Sequence, residues 1–303
     1  VRNVANLVVL LIALLAAATW GAAPSNASPK RIWAFESGVA THYPAPNDTG
    51  GEIVFSSTSG EQLFSYQIHD LEVSQIVSNK FGLYIHLDYN IDKFYNKSRV
   101  DFCTFNGKCS AGANSPSNIF QIAAYEDGFY AILYDGNLVK SDAGAYPLHG
   151  SIWQFGRDFN RKVCCNNADL SIRALDYNSE SGLTFSGIIK DGATGERKFG
   201  LFLSKLDGIF DLAPGFRLFG IGNIPDLFPG SCDTYIYHSD KFFCIINGTI
   251  DDGSTSIAMI YELSDDWKNS NSLRSLAIPS ISEDGRLFYV DLSGIYKEVN
   301  IFK

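Results

Sequence analysis

Asp88, Asn90 and Asp92 open the segment DYNIDKFYNKSR with oxygen-bearing side chains at alternate positions. A calcium loop begins in this order, because a hard cation takes carboxylate and amide oxygens from a chain that wraps around it. The rest of the segment departs from an EF-hand. Lys93 stands at the sixth position, where glycine makes the turn, and Arg99 at the twelfth, where a bidentate glutamate belongs. The segment therefore reads as a solvated turn, with a weaker calcium site at Asp88, Asn90 and Asp92 as the alternative. Calcium is the one cofactor the residues suggest. His86 alternates with Tyr84 and Asp88 on one face of the preceding strand, opposite Leu83, Ile85 and Leu87. A lone histidine lacks the third, orienting group that catalysis needs, so His86 reads as a hydrogen-bonded or half-exposed histidine. None of His42, His69, His149 and His238 lies at metal-ligand spacing from another. The chain holds no G-x-S-x-G elbow, H-E-x-x-H helix, P-loop or C-x-x-C pair.

The covalent chemistry is that of export. Arg2, the apolar run Leu7 to Ala18 and the small residues Ala16 to Ala23 have the layout of a secretory signal peptide. The run is too short for a lipid-spanning helix. A leader over residues 1–23 and one mature domain over 24–303 are expected, with no membrane span once the leader is removed. Six cysteines follow: Cys103, Cys109, Cys164, Cys165, Cys232 and Cys244. An even number in an exported chain favours disulfides. Cys103 and Cys109 could close the turn TFNGK, and Cys232 and Cys244 could face each other across a hairpin. The neighbours Cys164 and Cys165 are too close for an unstrained bridge, and each could instead pair with a distant cysteine. Asn26, Asn47, Asn96 and Asn247 fit the N-glycosylation sequon. A net charge of −9 without basic clusters argues against nucleic acid and anionic lipid as partners.

These groups must be carried by strands. SEDGRLFYVDLSGIY, from Ser282, combines polar turn residues, glycine and a run of β-branched and aromatic residues. Similar units begin at Phe35, Asn79, Tyr125, Ser179 and His238, with anchors at Gly38, Gly82, Gly128, Gly182, Lys241 and Gly285. Their spacings are 44, 46, 54, 59 and 44 residues. A period in the forties built from antiparallel strands is what propeller blades produce, because a ring of sheets buries faces that one sheet cannot. The expected fold is all-β, a six-bladed β-propeller, with a β-sandwich or two β-domains as the alternative. A ring must close, so RIWAF and YKEVNIF, near the two ends, are expected to share a blade.

LFYVDLSGIYK, Leu287 to Lys297, resembles the YWTD-type repeat of low-density-lipoprotein-receptor propellers and, more loosely, NHL-type blades. Phe288, Tyr289 and Asp291 keep the order of that repeat, with Val290 in place of threonine. The resemblance implies a ring of blades and transfers no functional residue.

Asp211 to Cys232 is unusually apolar for a connector. Phe216, Leu218, Phe219 and Phe228 either complete strands or form a partner-binding surface. With no local catalytic motif, the expected function is a secreted, non-enzymatic binding or extracellular-matrix glycoprotein. Its loops would engage an extracellular protein, carbohydrate or small ligand. Propeller sites are assembled from scattered loops, so a calcium-assisted hydrolase or lactonase using His86, Asp88, Asn90 and Asp92 is the alternative. A component of a mineralised or cuticular matrix is a third, narrower reading.

Overall fold

The computed structural model describes residues 31–46, 50–89, 98–112, 118–134, 138–141, 144–147, 150–166, 170–179, 181–190, 194–205, 209–212, 219–220, 232–238, 241–249, 256–263, 269–282 and 284–300. The anchors of the repeat are the turning points of hairpins. Sheet 1 comprises β1 (Arg31–Phe35), β2 (Gly38–Pro44), β3 (Gly51–Ser56) and β4 (Gln62–Ile68). Sheet 2 comprises β5 (Glu72–Asn79), β6 (Gly82–Asp88), β7 (Ser98–Thr104) and β8 (Cys109–Ser110). In sheet 3, β9 (Asn118–Tyr125) and β10 (Gly128–Tyr134) are followed by a two-stranded ribbon, β11 (Leu138–Ser141) and β12 (Gly144–Pro147). The sheet then resumes with β13 (Gly150–Gly156) and β14 (Arg161–Asn166). Sheet 4 holds β15 (Leu170–Asn178), β16 (Gly182–Lys190), β17 (Arg197–Lys205) and β18 (Ile209–Leu212), and β19 (Phe219–Gly220) also pairs with β17. Sheet 5 holds β20 (Thr234–His238), β21 (Lys241–Thr249), β22 (Ser256–Leu263) and β23 (Asn269–Ser275). Sheet 6 has three strands, β24 (Ser280–Ile281), β25 (Arg286–Val290) and β26 (Tyr296–Asn300).

All strand pairs within these sheets are antiparallel. Among the described residues no helix is long and apolar enough to cross a membrane. The anchor glycine begins the second strand of sheets 1 to 4, and Lys241 does so in sheet 5. Close approach explains the glycine. A Cβ on Gly38, Gly82 or Gly128 would lie 1.9–2.1 Å from the carbonyl oxygen of Ser56, Cys103 or Phe155 on the third strand of the same sheet.

The sheets bury their faces against one another in sequence. Phe35, Phe55 and Leu83 fill the space between sheets 1 and 2, and Tyr84, Phe129 and Phe155 that between sheets 2 and 3. Tyr130, Phe185 and Phe202 join sheets 3 and 4; Leu201, Tyr235 and Phe242 join sheets 4 and 5. Ile236, Phe243 and Leu287 join sheets 5 and 6. A sixth core, with Ala34, Val39, Phe288 and Val290, brings the last sheet back against the first. Each fully buried side chain of this size contributes about 1.5–3 kcal/mol of transfer free energy. The molecule is thus an all-β, propeller-like assembly of small sheets, not two slabs sharing one core.

Closure differs from the sequence expectation. RIWAF is the first strand of sheet 1 and YKEVN the last strand of sheet 6, and they do not share a sheet. The junction is instead a parallel bridge between Trp33 and Ile278. Ala34 N–H donates to the Ile278 carbonyl at 2.9 Å, and Ile278 N–H donates to that of Ile32 at 2.8 Å. Tyr296 adds a hydroxyl bond to the Phe35 carbonyl at 2.8 Å. Three of the cores already bury the faces of the end sheets, so this short main-chain contact is enough to join them.

Candidate functional site

The first strand of every sheet lies at the wall of one cavity of about 1000 Å³, with lining residues from β1, β5, β9, β15, β20 and β24. Within its sheet each of these strands is an edge, so its inward N–H and C=O groups need other partners. Polar side chains supply them across the sheet junctions. Arg31 Nη1 donates to the Ser74 carbonyl at 3.1 Å. Gln75 Oε1 accepts from Ile122 N–H, and Gln121 Oε1 from Leu175 N–H, both at 2.9 Å. Asp176 Oδ2 accepts from Tyr237 N–H at 3.0 Å. Nearer the hairpin turns, Asn79 and Asn178 donate to the carbonyls of Tyr125 and Tyr237 at 2.9 and 2.5 Å. The strands are laced into a rigid wall.

Asp176 is the anomaly in this lacing. Counting back two residues from the last residue of each first strand, the equivalents of Asp176 are Trp33, Val77, Ala123 and Ile236. Burial pushes its carboxyl up to about 6, against the opposing pull of the Tyr237 and Tyr177 N–H groups. Gln75 and Gln121 perform the same main-chain role without charge. Sequence reasoning did not single out Asp176. The available signal was a charged residue in an apolar column of the repeat.

The turns at one end of the cavity carry charge pairs, some within one sheet and some between neighbouring sheets. Lys80 pairs with Glu126, and Arg157 meets Asp127 at 3.2 Å while its guanidinium covers the Phe81 ring at 3.3 Å. Arg286 reaches Glu36 of sheet 1 at 2.5 Å, and also Asp284 and Glu298.

Of the residues expected from the sequence, His86 and Asn247 reach the cavity lining, and the others lie elsewhere or outside the described residues. Asp88 ends β6, where Ser98 donates to Oδ1 at 2.7 Å and Ser74 donates to Oδ2. His86 Nε2 lies 3.1 Å from Oδ1, without hydrogen-bond alignment. Burial alone would raise the Asp88 carboxyl, but the imidazole and the two hydroxyls outweigh it and hold the carboxyl below its usual value. Both oxygens therefore already have partners within the fold. Asn90 and Asp92 lie outside the described residues, and among the described residues no group of three His, Cys, Asp or Glu forms a metal cluster. His42 and His238 are buried, His69 is exposed, and His149 lies outside the described residues.

Cys103 pairs with Cys109 and Cys232 with Cys244, bonds that suggest an oxidising compartment. Cys164 and Cys165 lie on β14, and their side chains are outside the described residues. Of the sequons, Asn247 is exposed on β21; Asn26, Asn47 and Asn96 fall outside the described residues. Phe219 is in β19, its backbone paired with Phe199. Phe216, Leu218 and Phe228 are outside the described residues.

No family model matches the chain, and no curated protein sequence matches it significantly. Solved structures do. The acylaminoacyl peptidase of Pyrococcus horikoshii aligns at a TM-score of 0.40 and 12% identity over 72% of this chain and 35% of the peptidase. The chain thus spans about a third of that protein. An exo-β-1,3-galactanase from Phanerochaete chrysosporium aligns at 0.44 and 11% identity, over 89% of this chain and 66% of the enzyme. The β-propeller domain of the trilobed protease from Pyrococcus furiosus aligns at 0.35 and 11%, over 77% and 70%. The resemblance is to β-propeller proteins. It concerns the fold and passes no residue role to this chain.

Proposed function

We propose that the chain is a six-bladed β-propeller, exported through its N-terminal leader, that binds a ligand in the central cavity and does not transform it. The observation that carries this reading is the cavity itself, to which all six sheets contribute wall residues. Concave sites of several hundred Å³ with a few convergent polar groups are where small ligands bind. A wall laced by side-chain hydrogen bonds is preorganised, so little ordering accompanies binding. The disulfides Cys103–Cys109 and Cys232–Cys244 support an oxidising, extracellular setting. A matrix or cuticular role is a special case of the same binding reading.

One observation favours a second reading. Asp176, with its carboxyl near 6 and at the cavity wall, has the acidity of a general acid or base, as a hydrolase or lactonase would need. A panel of esters and lactones, run with and without calcium and chelator, separates the two. No turnover with any substrate is expected; turnover that Asp176→Asn abolishes would replace binding by catalysis.

A further inference from the structure

The cavity mouth away from the hairpin turns is shaped by three equivalent irregularities. The register of β5 with β6 skips Ser74, that of β9 with β10 skips Phe120, and that of β15 with β16 skips Arg173. Each skipped residue stands five positions before the last residue of its strand, so the three bulges occupy one level of neighbouring sheets. A bulge adds a residue that the ladder does not need and re-aims its side chain. On β9 the re-aimed residue is Phe120, 43% exposed between the buried Ile119 and Gln121 and part of the cavity lining. Of the five exposed large apolar side chains among the described residues, only this one lines the cavity. Exposing a phenylalanine ring forgoes burial worth about 1.5–3 kcal/mol, so the bulge works against stability here.

The groups sharing the cavity wall with that ring are donors and acceptors in mixture. Arg31 engages the Ser74 carbonyl through Nη1, and its remaining N–H groups have no partner among the described residues. Gln75 uses Oε1 for Ile122 N–H and leaves its amide N–H₂ available. Asp233 accepts Asn247 N–H at Oδ2, 2.6 Å away, and leaves Oδ1 available. All three residues line the cavity with Phe120. A ligand matching this wall needs an apolar face for the ring and, around its edge, groups that both donate and accept. Hydroxyls do both, and polarised C–H bonds suit the negative face of an aromatic ring. We infer that this mouth is a carbohydrate subsite, in which a sugar ring lies against Phe120 and its hydroxyls are held by Arg31, Gln75 and Asp233. The inference rests on the central cavity being a ligand site and names the class of ligand that site takes.

Saturation-transfer NMR on the full mature protein tests it with two arms, one of free mono- and disaccharides and one of small amines and carboxylates. Transfer to ring C–H protons of at least one sugar is expected. Phe120→Ala should weaken binding of that sugar about tenfold, and Phe120→Trp should restore it. Leu63→Ala, which changes an exposed apolar residue that does not line the cavity, should leave it unaltered. Binding confined to the amine and carboxylate arm overturns the carbohydrate assignment and leaves the cavity reading standing. Sugar binding indifferent to Phe120→Ala overturns the subsite. No binding in either arm overturns both.

Discussion

Asp101 is fully buried and Asp176 half-buried at the cavity wall, and only Asp101 has a cation beside it. Asp101 accepts from Arg99 and the Tyr66 hydroxyl, each at 2.8 Å, and from Gly112 N–H at 2.9 Å. Asp176 has main-chain N–H groups alone. The consequence for stability has a definite sign. An unfolded Asp176 loses its proton near 3.8 and the folded one near 6, so between these values the unfolded chain has ionised and the native one has not. Stability falls as pH rises across that window and stays reduced above it. Asp176→Asn keeps an acceptor for Tyr237 N–H and removes the charge. It should be the more stable protein above pH 6, by about 1–2 kcal/mol after allowing for cavity water, and equal to wild type below pH 4. Urea midpoints across that range check this. The neutral lacing residues behave oppositely. Gln121 is 5% exposed and satisfies both Leu175 N–H and the Thr234 hydroxyl, so Gln121→Ala should cost about 1–3 kcal/mol at every pH, read from the same midpoints.

Hairpins are the element the sequence reveals best, because the glycine that opens each second strand answers to a local contact. Gly128→Ala would bring a Cβ to 1.9 Å from the Phe155 carbonyl oxygen. The expected loss is about 2–4 kcal/mol. Lys241→Ala at the corresponding place in sheet 5 should cost less than about 1 kcal/mol, since a side chain is already accommodated there and its bridge to Glu262 is half-exposed. Thermal melts of the pair check the contrast. Both disulfides were legible for the same reason: Cys103 and Cys109 are register partners in one hairpin, and Cys232 and Cys244 flank another. The candidate site was not legible. Asp176 meets Tyr237 across 61 residues and Gln121 meets Leu175 across 54, and neither pairing follows from any local pattern. Phe120 left one trace, since adjacent Ile119 and Phe120 break the alternation that a regular strand would keep. The order Asp88, Asn90, Asp92 drew attention because it resembles a ligand loop. The Asp88 carboxylate is in fact held by hydroxyls of its own sheet.

At the scale of the molecule, the arrangement of cores makes a prediction that a linear stack of the same sheets would not. In a linear stack, removing the terminal sheet uncovers one interface and leaves the others intact, so the remainder melts as a slightly smaller unit. Here sheet 6 packs against sheet 5 through Leu287 and against sheet 1 through Phe288 and Val290. A chain ending at Ser275 therefore uncovers two apolar faces, one around Ile236, Phe243 and Ile260 and the other around Ala34 and Val39. It also loses the main-chain bridge at Trp33 and the Arg286 contact with Glu36. The cavity would be open along one side, and the Trp33 edge of β1 would have no neighbour there. Such a chain should bind hydrophobic dye, lose its sharp thermal transition and aggregate at concentrations where the full chain stays dispersed. A cooperative transition with a denaturant slope reduced only in proportion to the residues removed would mean that the sixth core is dispensable and the sheets stack in a line.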